Sequence, residues 1–206
     1  MPKQTFFNLK EEKKRKLIEA AREEFSRVSL YDASITNILK TAGIPRGSFY
    51  QYFEDKEDAF FYLLNEHAEE RHQNFLSSLE KYNGDLFLAM TEVYRNVLDY
   101  SQGQGNSNFI RNALLNMNYK IEHTFTKHLM EKSRGQRANE IYNLVETDSL
   151  NIALEEDFYH VMQIMIAITF HNLVHCLSND FTTEEALDKY TKEIELIKSG
   201  LMKSNN

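Results

Sequence analysis

Between Lys3 and Asn83 the only Gly or Pro residues are Gly43, Pro45 and Gly47. A glycine costs a helix interior about 1 kcal/mol and a proline about 3. A chain so free of both is constrained to helix, and its one cluster of breakers must mark a turn between helices. The whole sequence of 206 residues holds 7 Gly and 2 Pro. No alternation of strand and helix patterns is visible, so the expected fold class is all-α, with about nine helices.

Apolar spacing places these helices. Leu17, Ile18, Ala21, Phe25 and Val28 fall on one face of a helix over Glu11 to Val28. Ser34 can cap a short second helix carrying Ile35, Ile38 and Leu39, which closes at Ala42 and Gly43. Ile44 is expected to pack inward. Pro45 suits the first turn of a third helix, of about two turns, reaching Tyr52 or Phe53. Asp55, with Asp58 three residues on, can cap a fourth helix that runs through Ala59, Phe60, Leu63 and Leu64 towards Tyr82.

Asn83 and Gly84 end that helix. A short or continued helix is then expected over Ala138 to Val145, and longer helices over Asp85 to Tyr100, Phe109 to about Lys132, Glu155 to Leu177 and Glu184 to Met202. The last has Thr182 or Thr183 as its cap. Polar segments such as SQGQGNSN, SRGQRAN and SNDFTTEE separate them.

Net charge is −7, but it is unevenly spread. Residues 1–56 carry 11 Lys or Arg against 8 Asp or Glu, and the remainder carries 13 against 23. An acidic body with a mildly basic head can still bind a polyanion through the head. The single Cys176 forms no internal disulfide, and the N-terminus lacks the apolar core of a signal peptide, so a cytoplasmic location is expected. The apolar run Val161 to Phe170 is too short to span a membrane and reads as a buried helix.

The second and third helices, joined at Gly43, have the arrangement of a helix-turn-helix. Phe49 and Phe53 can face inward together, which turns Arg46, Gly47, Ser48, Tyr50, Gln51 and Tyr52 largely outward. Such a surface suits a DNA major groove. Gly47 and Ser48 allow close approach, Arg46 can reach guanine edges or a phosphate, Gln51 can pair with adenine, and tyrosine hydroxyls can donate to phosphates. Lys56 sits at a helix N-terminus, where the macrodipole disfavours a cation unless a phosphate binds there as well. A screened surface lysine is the plainer alternative for Lys56, and partial burial against the first helix is the alternative for Tyr50 and Tyr52.

The stretch SITNILKTAGIPRGSFYQYFEDKEDAF, Ser34 to Phe60, resembles the DNA-binding signature of the tetracycline-repressor (TetR) family, and the likeness covers roughly residues 11–64. The resemblance implies an N-terminal three-helix helix-turn-helix DNA-binding domain, residues 1–56. A C-terminal helical-bundle domain, residues 57–206, would bind an effector and dimerise. It further implies that Ser34, Thr36, Asn37, Arg46, Gly47, Ser48 and Gln51 face the groove, and that Tyr50, Tyr52 and Lys56 meet phosphates. Pro45 stands where the family more often has Ser or Thr, and Leu39 and Lys40 stand where many members have Ala and a charged residue. The function so implied is a dimeric regulator, most often a repressor, that binds a pseudo-palindromic operator and is released by a small apolar or aromatic effector. Pocket candidates are Phe87, Met90, Tyr94, Phe109, Met117, Tyr119, Phe125, Met162, Phe170 and His171, each of which could equally be plain core.

His171 and His175 share a helical face beside Cys176, but no third ligand stands near in sequence, so no metal is assigned. No phosphate-binding glycine loop, nucleophile elbow or paired His with acidic ligands is present, so neither an enzyme nor a cofactor is expected. A helical protein-interaction module or a metal-sensing regulator without a small-molecule pocket is the alternative reading. Its weakness is that it leaves the outward composition of Pro45 to Tyr52 unexplained.

Overall fold

The computed structural model describes residues 2–102, 107–117, 138–152, 154–179 and 181–201. In chain order the helices are α1 (Gln4–Phe7), α2 (Glu11–Arg27), α3 (Ile35–Ala42), a 3-10 turn (Arg46–Ser48), α4 (Phe49–Tyr52), α5 (Lys56–Lys81), α6 (Leu86–Gln102), α7 (Ser107–Leu115), α8 (Ala138–Leu144), α9 (Glu155–Asn179) and α10 (Thr183–Leu201). A second 3-10 turn covers Thr147–Ser149. The expected all-α class is what the chain adopts.

Two compact units result. The first gathers the described residues of 1–69 and 101–125, and the second those of 70–100 and 126–206. This division differs from the expected split at 56/57. The first unit keeps the start of α5 and takes in α7, which is remote in sequence.

The first unit is built around apolar faces that the spacing anticipates: Leu17, Ala21 and Phe25 of α2, Ile38 and Leu39 of α3, and Ala59, Phe60, Leu63 and Leu64 of α5 are all buried. Phe109 of α7 joins them, with its ring 6.4 Å from Phe25 and 5.5 Å from Phe60. Asn112, one turn further on, donates through Nδ2 to the carbonyls of Phe25 at 2.8 Å and Val28 at 2.7 Å. Those two carbonyls lie at the end of α2, where a helix leaves acceptors unsatisfied.

In the second unit, Asp85 caps α6 by accepting from the N–H groups of Phe87 at 2.9 Å and Leu88 at 3.0 Å. Its other oxygen accepts from Lys198 at 3.0 Å. Thr182 and Glu185 form a reciprocal box at the start of α10: Glu185 N–H donates to Thr182 Oγ1 at 3.2 Å, and Thr182 N–H donates to Glu185 Oε2 at 3.0 Å. The α5–α6 corner passes through left-handed backbone at Asn83, φ 52, and Gly84, φ 83.

Helix α9 is apolar and long enough, by length and composition, to cross a membrane. Its Phe158, Val161, Met165, Leu173 and Leu177 are nonetheless buried in the second unit. Polar side chains tie it to α10, with Asn172 donating to Glu193 at 2.6 Å and Thr169 bonded to the Tyr190 hydroxyl at 2.6 Å. Tyr190 stacks on Tyr94 with ring centroids 4.1 Å apart. Burial raises the Tyr190 hydroxyl pKa to about 12.

Candidate nucleic-acid interface

Glu24 links α2 to the start of α3. Its buried carboxylate accepts from Arg27 at 2.8 Å, from the Ser34 N–H at 2.8 Å and from Asn37 Nδ2 at 3.2 Å. Burial alone would raise its pKa, but these donors outweigh burial and hold the carboxyl below the usual range. The N-cap of α3 is thus attached to α2 through a charge-assisted contact.

Helix α3 starts with the Asn37 N–H donating to Ser34 Oγ at 3.4 Å. It ends in left-handed backbone at Gly43, φ 66. Ile44 N–H bonds back to Leu39 O at 3.0 Å and Gly43 N–H to Lys40 O at 3.3 Å, which is the Schellman pattern. The turn after α3 is therefore closed by its own backbone.

Pro45 precedes the 3-10 turn Arg46–Ser48, whose Ser48 N–H donates to Pro45 O at 2.9 Å. One α-turn, Phe49–Tyr52, follows. The expected two-turn α-helix is thus a 3-10 turn continued by a single α-turn, because Gly47 and Ser48 give little helix propensity at its start. Phe49 and Phe53 are fully buried, with their rings 5.4 Å apart.

With those two rings anchored, Arg46, Gly47, Tyr50 and Gln51 are exposed, as are Thr36 and Asn37 on α3, while Ser34, Ser48 and Tyr52 are half-buried. Tyr50 is 57 % exposed, which decides against its burial on α2. A Cβ added at Gly47 would meet nothing within 4 Å. Packing therefore does not require glycine there, and its smoothness is a property of the outer surface.

Three of the anticipated contact residues, Ser34, Asn37 and Lys56, are already engaged within the chain, Ser34 through its bonds at the N-cap of α3. Asn37 uses its amide on Glu24, and Lys56 donates to the carbonyls of Tyr31 and Ala33, the latter at 3.1 Å. The lysine ties down the loop between α2 and α3, and the carbonyls offset its poor placement beside the positive end of α5. The start of α5 is capped as expected, since the Asp58 N–H donates to Asp55 Oδ1 at 2.8 Å.

Periodicity gave no signal for residues 2–10, yet they reach the recognition element. Lys3 donates through its backbone N–H to Tyr52 O at 2.8 Å and through Nζ to Tyr50 O at 2.8 Å, and Thr5 Oγ1 donates to the Gln51 carbonyl.

The effector candidates scatter. Phe87, Met90 and Tyr94 are buried, Met117, Met162 and Phe170 are half-buried, and His171 is exposed. Phe109 belongs to the core of the first unit instead, and Tyr119 and Phe125 lie outside the described residues. A cavity of about 140 Å³ in the second unit is lined by Phe87 alone among the ten. This is smaller than the ~300 Å³ at which ligand pockets begin. The Tyr94 hydroxyl is buried with no hydrogen-bond partner among the described residues, and burial raises its pKa.

The His171 and His175 rings lie 6.1 Å apart, His175 packs 5.2 Å from Phe181, and the Cys176 thiol donates to Phe181 O at 3.6 Å. These three side chains do not converge. Among the described residues, no group of three or more His, Cys, Asp or Glu is placed to hold a metal.

A three-helix head displaying a short recognition element, followed by an all-helical domain, defines a helix-turn-helix transcription regulator. Residues 17–63 match the bacterial regulatory proteins of the tetR family, and residues 85–201 match the tetracyclin repressor-like C-terminal domain. The chain belongs to the TetR family, whose members bind DNA and are not enzymes.

An uncharacterized HTH-type transcriptional regulator of Bacillus subtilis (strain 168), YdgC, is 40 % identical over 55 residues, which is 27 % of this chain and 28 % of that one. Among solved structures, the fatty acid degradation regulator FadR from Bacillus halodurans has a TM-score of 0.65 at 15 % identity, covering 87 % of this chain and 96 % of that chain. SmeT, the repressor of the Stenotrophomonas maltophilia multidrug efflux pump SmeDEF, has a TM-score of 0.64 at 11 % identity, covering 93 % and 91 %.

Proposed function

We propose that this regulator is a dimeric repressor whose Arg46–Tyr52 segment reads the major groove of a pseudo-palindromic operator, and that a small apolar or aromatic effector releases it. The observation that carries this reading is the anchoring of Phe49 and Phe53, which turns Arg46, Gly47, Tyr50 and Gln51 to solvent. Arg46 and Gln51 supply base-edge contacts, Tyr50 and Tyr52 supply phosphate contacts, and Thr36 flanks them from α3. Lys56 retains one N–H beyond its two carbonyl partners for a phosphate.

A two-fold pair of such heads would read half-sites about one helical turn, ~34 Å, apart. The surface that supports pairing lies on α9 and α10, where Ile164 is 49 %, Ile166 53 % and Leu196 69 % exposed. Apolar side chains so open gain by being covered. An effector would act by favouring the head spacing that fails to fit the operator, and ~1–3 kcal/mol of coupling would change occupancy ~5- to 150-fold. Such an effector would meet apolar side chains of the second unit such as Met90, Met162 and Phe170. The working compartment is the cytoplasm, where the DNA lies.

Selection of genomic fragments by the protein tests the reading. Recovery of a palindrome whose affinity falls steeply with salt is expected. Recovery of unrelated sequences, or binding indifferent to salt, would contradict it.

A further inference from the structure

The last turn of the recognition helix is closed by a part of the chain that lies ahead of the tetR-family match, which begins at residue 17. The final carbonyls of any helix lack partners within it. The four residues of α4 are also far fewer than the ~12–15 at which an isolated helix holds itself. Here the three successive carbonyls of Tyr50, Gln51 and Tyr52 are each met by a donor from Lys3 or Thr5.

Phe6 fixes those donors in place. It is fully buried, with its ring 5.0 Å from that of Phe53 and 5.1 Å from that of Tyr62. Lys14 lies over its face at 5.6 Å. Phe53 terminates the recognition helix and Tyr62 belongs to α5, so one aromatic side chain wedges between the reading element and the helix that supports it. No base or phosphate is needed to explain where the Lys3 ammonium points.

We propose, on the reading that Arg46–Tyr52 faces DNA, that the segment Lys3–Phe7 is a clamp that sets the pitch of the recognition helix. Phe6, Lys3 and Thr5 are then positioning residues for base readout. The clamp acts on geometry, because its donors end on carbonyls of the same chain. Loosening it misaligns the bidentate contacts that discriminate bases and leaves the count of neutralised phosphates as it was. Specificity and salt dependence therefore separate, which a general loss of the fold would not achieve.

A duplex recovered from genomic fragments by the 206-residue chain, and sheared non-specific DNA, are titrated with the wild type, Phe6→Ala, Phe6→Leu and the double variant Lys3→Met, Thr5→Val. Phe6→Ala is expected to lower the ratio of specific to non-specific affinity by roughly tenfold, and Phe6→Leu to restore most of it. The double variant is expected to lower the ratio by a smaller factor at an unchanged salt slope. Both of its positions are exposed, so it carries the test if Phe6→Ala does not fold. Wild-type discrimination in Phe6→Ala overturns the clamp. A double variant whose salt slope falls by about 1 at constant discrimination also overturns it, since Lys3 would then be a phosphate contact. Failure of the wild type to recover any consensus removes the reading itself, and the clamp with it.

Discussion

Glu24 is the residue that ties α2 to the N-cap of α3. It is buried, and its carboxylate gathers donors from Arg27, Ser34 and Asn37. Its folded pKa is depressed below the unfolded value of about 4.3, so its stabilisation is present above that pH and is lost as pH falls through the folded value. Glu24→Gln should cost about 1.5–3 kcal/mol at neutral pH, the range of a hydrogen bond to a charged group. It should also flatten the acid limb of the unfolding curve below about pH 4.3, which circular dichroism against denaturant at several pH values would read. The sequence shows Glu24 only as one more charge on an amphipathic helix. Arg27 lies one turn away on the same helix, but Ser34 and Asn37 are ten and thirteen residues away and reach Glu24 only once the turn at Ser29 to Ala33 has formed. Lys56 is the same case, since its place at a helix start is visible in the sequence whereas the loop carbonyls that hold it are not.

At the scale of elements, boundaries were legible wherever local chemistry sets them. Ser34, Gly43, Asp55 and Thr182 occupy the caps that their residue types favour. The two left-handed glycines separate conformational strain from steric exclusion. Ala at Gly43 would meet nothing within 4 Å, whereas at Gly84 its Cβ would lie 2.6 Å from both Glu146 N and Leu144 O. Gly43→Ala should therefore cost about 1–2 kcal/mol, the conformational penalty alone. Gly84→Ala should cost more because backbone must move, and paired thermal melts would rank the two. Elements that depend on distant partners stayed hidden. Helix α1 has four residues and no period to detect, and the Phe53 and Tyr62 rings that pack on Phe6 are remote in sequence. The recognition segment reads as continuous helix from Pro45 and the Phe49–Phe53 spacing, whereas the low helix propensity of Gly47 and Ser48 leaves its first turn 3-10.

For the whole molecule, the sequence conveys a basic head followed by an acidic helical body, and that division follows from charge and apolar spacing. The placement of α7 does not, since Phe109 and Asn112 reach Phe25 and Val28 only through tertiary packing. Pairing through α9 and α10 is testable at this scale. Leu196→Glu combined with Ile164→Glu should yield a monomer by sedimentation with unchanged helicity, and should weaken operator binding by removing the second head. A dimer that survives both changes would place the interface elsewhere.

The most direct test of the account measures affinity for the selected operator across salt concentrations, for the wild type and for Arg46→Ala and Gln51→Ala. The expected result is a steep fall of wild-type affinity with salt, and a loss of ~1–3 kcal/mol of base discrimination in each variant with helicity retained. Affinity indifferent to salt, or variants that discriminate bases as well as the wild type does, would contradict the assignment of Arg46–Tyr52 as the reader of DNA.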